Sequence, residues 1–100
     1  MNLDIAEKLK VMRESERISS RRKAAEIIGI PHNDLWRYET GEAIPKGDVL
    51  MKILSTPIFE KYALWFTTGK IAPESGQIAP ALAHFGQNNA ESTSLEQKAG

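Results

Sequence analysis

Residues 21–38 hold the tightest constraint on this chain. Two helical segments lie either side of only three residues, Gly29-Ile30-Pro31. Helices joined by so short a break cross steeply, and they approach most closely near Ala25, where nothing larger than a methyl group fits. Gly29 can take a positive φ in the tight turn without steric cost. Ala24, Ile28, Ile30, Leu35 and Tyr38 then close a small core between the two segments. This spacing is that of a helix-turn-helix.

The rest of the chain reads as further helices separated by short breaks, with no strand-like alternation. Helices are predicted over 4–14, 21–28, 32–39, 47–55 and 57–68. In the first, Ile5, Leu9 and Met12 form one apolar stripe, and Asp4 with Glu7 has the capping-box spacing. Ser19 or Ser20 caps the second, and Gly29, Gly41 and Gly69 each follow the end of a helix. Pro31 and Pro45 precede the third and fourth. The fold class is therefore all-α, a five-helix bundle over residues 1–70. An extension over 71–85 is expected to pack on the bundle or on a dimer. It carries Ile71-Ala72-Pro73 and Ile78-Ala79-Pro80 as extended or turn segments, then a short helix over 80–85. Residues 86–100 are polar apart from Ala and one Leu, the composition of a disordered tail.

Composition excludes several classes of function. The absence of cysteine removes disulfide scaffolds, thiolate metal sites and cysteine nucleophiles. His32 and His84 are too far apart in sequence to suggest a metal cluster, and no cofactor is expected. The apolar runs are too short to span a membrane, and Met1-Asn2-Leu3-Asp4 does not open a signal peptide, so a cytoplasmic protein is expected. No nucleophile–base constellation or glycine-rich phosphate loop supports an enzyme, and no small-molecule substrate is expected. The net charge is zero, but seven basic residues (Lys8, Lys10, Arg13, Arg17, Arg21, Arg22, Lys23) fall between positions 8 and 23, against Glu14 and Glu16. Such a segment either meets a polyanion or is a solvated helix face.

The residues Ser20-Arg21-Arg22-Lys23-Ala24-Ala25-Glu26-Ile27-Ile28-Gly29-Ile30, followed by Leu35-Trp36-Arg37-Tyr38-Glu39-Thr40-Gly41 and Pro45, resemble the lambda-repressor-like (Cro and Xre type) helix-turn-helix family, of the phage-repressor kind. The element Glu39-x-Gly41-x-x-x-Pro45 is its more discriminating part. The resemblance covers residues 5–69. It implies sequence-specific binding to a double-stranded DNA operator, usually palindromic, by a homodimer. Two departures stand out: the link between the first two helices is one residue longer than usual, and Arg21 stands where the family often has Gln.

With Leu35 and Tyr38 facing inward, His32, Asn33, Trp36, Arg37 and Thr40 are free to face outward on the third helix. His32, Asn33, Trp36 and Arg37 are the base-reading candidates, because Asn suits adenine and Arg suits guanine in the major groove. Asn33 has a second reading as a first-turn cap. Trp36 either packs on sugar or a thymine methyl, or folds back on a neighbouring helix. Arg21, Arg22, Lys23, Thr40 and Lys46 are the phosphate-contact candidates, although some of the basic residues could serve solubility alone. The resemblance also implies a buried pair between Arg13 and Glu39. Four large apolar residues in five positions, Tyr62, Leu64, Trp65 and Phe66, cannot all face one core. Tyr62, Trp65 and Phe66 are accordingly the candidates for a dimer interface. The competing function is an antitoxin-like interaction protein of the same fold that neutralises a partner.

Overall fold

The computed structural model describes residues 3–83. Five α-helices follow one another: α1 (Ile5–Ser15), α2 (Arg21–Ile28), α3 (His32–Thr40), α4 (Gly47–Leu54) and α5 (Ala63–Thr68). Short 3-10 turns cover Glu60–Tyr62 and Pro73–Ser75. The fold is an all-α helix-turn-helix bundle, and the described residues contain no strand beyond one isolated bridge between Ala72 and Gln77. The expected helix over 80–85 lies partly, and the tail over 86–100 wholly, outside the described residues.

Local chemistry sets the boundaries. Asp4 accepts from the Glu7 amide at 2.8 Å, and Glu7 accepts from the Asp4 amide at 3.3 Å, which closes the capping box. The Ser20 hydroxyl accepts from the Lys23 amide and caps α2. Gly29 ends α2 at φ 93°, in the left-handed region that lets the chain reverse within three residues. The end of α1 is different. Arg17 holds φ 61° with no glycine to relieve it, while the Ile18 amide donates back to the Arg13 carbonyl. Left-handed backbone costs a non-glycine residue about 1–2 kcal/mol, partly offset in glycine by its greater unfolded-state freedom. Arg17→Gly should therefore raise stability by roughly 0.5–1 kcal/mol in a denaturant titration. A loss of stability would show that the Arg17 side chain contributes more than its backbone strain removes.

Leu9, Met12, Ile28, Ile53, Phe59, Tyr62, Trp65 and Phe66 form the main core. Ala24, Ala25 and Leu35 form a second, smaller one between α2 and α3, flanked by Ile18 and Ile30. α3 packs on both α1 and α2, so it is held from two sides.

One boundary differs from expectation. The single helix predicted over 57–68 is a turn, a 3-10 segment and then α5. The Thr56 carbonyl accepts from both the Phe59 and Glu60 amides, and the Phe59 carbonyl accepts from Tyr62. The tighter winding stacks residues three apart, which lets Phe59 and Tyr62 both enter the core. The extension folds back on this region. Gln77 accepts from the Leu64 amide at 2.9 Å and donates to the Glu60 carbonyl at 3.0 Å. The Ile78 amide donates to the Lys61 carbonyl, and the Leu82 amide to the Ser15 hydroxyl.

Candidate nucleic-acid interface

α3 presents two unlike faces. Leu35 and Glu39 are buried and Tyr38 is half-buried. Asn33, Trp36, Arg37 and Thr40 are exposed, at the i, i+3, i+4, i+7 spacing of one helix face. His32 is half-buried at the start of the helix. No side chain caps α3, so Asn33 is not spent on its first turn. Trp36 is 40% exposed and has not folded into the core. The Thr40 hydroxyl donates to the Arg37 carbonyl within the helix, which leaves its oxygen able to accept.

Among the phosphate candidates, Arg22, Lys23 and Lys46 are exposed. Arg22 and Lys23 follow Arg21 in the first turn of α2, and Lys46 immediately precedes α4. Arg21 is placed differently: its Nε lies 2.9 Å from Glu39 Oε1. Nothing local in the sequence signals that contact, because eighteen residues separate the partners.

Glu39 has a fully buried side chain, and Arg13 beside it is 5% exposed. Arg13 Nε lies 2.9 Å from Glu39 Oε2, and Arg13 Nη2 lies 3.0 Å from Oε1. Arg13 Nη1 donates to the carbonyls of Ile18 and Ser19, in the link between α1 and α2. A single guanidinium therefore ties α1, the link and α3 together, and the carboxylate is neutralised where no water reaches it.

Tyr62, Trp65 and Phe66 are 3%, 3% and 4% exposed within one copy of the chain. The expectation that they offer surface to a partner is corrected here: their 62, 65, 66 spacing sets all three on one side of the helical path, against the core. Tyr62 donates its hydroxyl to the Glu16 carboxylate. Burial, then that hydrogen bond and charge, push the phenol's ionisation above its usual range. The surplus residue is Leu64, half-buried in an open apolar groove of about 580 Å³ with Met51, Leu54, Ala63, Ala72 and Gln77.

No group of acidic or histidine side chains among the described residues could hold a metal ion, and no described helix is long and apolar enough to cross a membrane. No family model matches the sequence. Over 100 residues, the whole of both chains, the sequence is 53% identical to Repressor protein C of Escherichia phage P2.

Proposed function

Given that the chain belongs to the phage repressor family of the P2 Repressor protein C, we propose that it is a sequence-specific DNA-binding regulator that places α3 in the major groove of an operator. It acts by occupying DNA rather than by catalysis, and its place is the cytoplasm, where that DNA is. The supporting observation is the exposed face of α3: Asn33, Trp36, Arg37 and Thr40 lie outward on a helix whose opposite side is buried and ion-paired. The lambda-repressor-like resemblance agrees with that geometry. Asn33 and Arg37 are the main base readers, with His32 and Trp36 beside them. Arg21, Arg22, Lys23, Thr40 and Lys46 grip the backbone.

Selection of bound duplexes from a random pool tests the proposal directly, and absence of any enriched site overturns it. On the enriched site, Asn33→Ala and Arg37→Ala should each cost about 1–3 kcal/mol and relax preference at one base pair per half-site. Arg22→Ala should weaken all duplexes alike. If Arg22→Ala changes base preference while the other two lose affinity uniformly, the reading face is misassigned.

The regulator works as a homodimer. None of the residues lining the groove beside Leu64 belongs to α2 or α3, so a second copy can cover it without using the candidate DNA face. Met51 on its wall is 69% exposed, and Ile71 and Ile78, next in sequence to the lining residues Ala72 and Gln77, are 49% and 40% exposed. Met51→Glu should weaken self-association at least about tenfold, since burying such a side chain contributes about 1.5–3 kcal/mol. Sedimentation equilibrium with an unchanged circular dichroism melt reads this. A wild-type monomer at tens of micromolar removes the dimer and favours an antitoxin-like protein whose groove takes a different partner. A two-fold pair of rigid readers calls for a palindrome with half-sites about 10 bp apart. Directly repeated half-sites would mean that the readers are not held by the dimer's own symmetry.

A further inference from the structure

Two guanidinium groups meet Glu39, one more than its own neutralisation requires. Arg13 alone meets both oxygens of the carboxylate and is itself almost wholly buried. Arg21 adds a second guanidinium to Oε1. The other carboxylate in reach, Glu14, is 43% exposed and lies 3.9 Å from Arg13 Nη2. Arg21 spends only its Nε on Glu39. Its terminal Nη1 and Nη2 groups have no hydrogen-bond partner among the described residues, and its side chain remains 31% exposed. Four N–H donors of a planar fork are thus left for an outside acceptor, on a side chain whose inner edge is pinned.

We propose that Glu39 is a positioning residue for DNA binding: it holds Arg21 by Nε so that the guanidinium's remaining edge meets a backbone phosphate. This rests on the DNA-binding reading above. Glu39 sits in the last turn of α3 and Arg21 opens α2, so the carboxylate links the seating of the reading helix to the grip on the backbone. A held fork gives up less side-chain freedom on meeting phosphate than a free arginine does, and it matches phosphate through two parallel hydrogen bonds. Lysine keeps the charge but has neither an Nε–H to pin nor a fork to present.

The test measures binding of the full chain and its variants to two duplexes of about 20 bp, one bearing the selected site and one scrambled, across a salt series, with melting temperatures alongside. Arg21→Gln should weaken both duplexes and reduce the salt slope by about two, one phosphate for each subunit of the dimer. Arg21→Lys should keep the slope yet still lose roughly tenfold on both. Neither should lower the melting temperature by more than a few degrees, because Arg13 still satisfies Glu39. Glu39→Gln removes the charge that Arg13 needs and should lower the melting temperature, so the lysine variant at position 21, which leaves the Arg13 pair intact, carries the test. Parity of Arg21→Lys with wild type shows a free surface charge and overturns the inference. Affinity losses that track falling melting temperatures show a purely structural ion pair and do the same. Wild type binding neither duplex at low salt removes the proposed function itself, a distinct outcome.

Discussion

Replacing Glu39 by alanine should destabilise the folded chain by about 3–5 kcal/mol, the cost of leaving a buried charge without its partner. Arg13 is the charge left behind: it is 5% exposed and cannot swing into water without opening the packing of α1 on α3. Arg21 does not rescue it, since two guanidinium groups facing a vacated site repel one another. Removing both charges should behave otherwise. Arg13→Met with Glu39→Leu replaces the pair with apolar volume, and such swaps range from neutral to stabilising by about 1–4 kcal/mol. Urea unfolding of the single and double variants separates the cases. A single-variant loss under about 1 kcal/mol would mean that water reaches Arg13 and that the pair behaves as a surface one.

The second large effect is in binding. Between 50 and 200 mM salt, affinity for the operator should fall on the order of 10³–10⁵, as expected for a dimer that releases counterions from about 6–10 phosphates. Arg21, Arg22 and Lys23 at the start of α2 and Lys46 just before α4 supply four cationic side chains in each copy of the chain. The chain's formal net charge is zero. The steepness must therefore come from local placement, not from attraction between whole molecules. Fluorescence anisotropy across a salt series measures it. A flat dependence would exclude the basic face as the backbone grip.

What was legible in the sequence was what short-range chemistry decides. α2 carries its own start and stop in Ser20 and Gly29, and it spans 21–28 as expected. The inward positions Leu35 and Ala25 followed from spacing alone and are buried. The path into α5 was not legible. Pro57 looked like a helix start, but the Thr56 carbonyl takes two amides and winds the chain more tightly. The partition of Tyr62, Leu64, Trp65 and Phe66 was half visible. Periodicity showed that one had to leave the core, but the change of winding before Ala63 settled that it was Leu64. The contact of Arg21 with Glu39 and the two bonds of Gln77 join residues 18, 13 and 17 positions apart, and no pattern of propensity encodes such meetings.

Those long-range bonds set an order of assembly. α2 meets α3 across a three-residue turn, so this pair of helices forms with almost no loop to close. The Leu82 amide reaches the Ser15 hydroxyl across 67 residues, and Gln77 can dock only after the turn into α5 has been wound. Contacts of such separation come late, because ordering the intervening chain precedes any gain from them. Among the described residues the extension is then the last segment to arrive and the first to detach, an opening of low free energy beside an α2–α3 pair that stays closed. Amide exchange would be fastest at Ile78 and Leu82 and slowest in α1 and α3. A protease would cut within the extension over 71–83 before it reached α3.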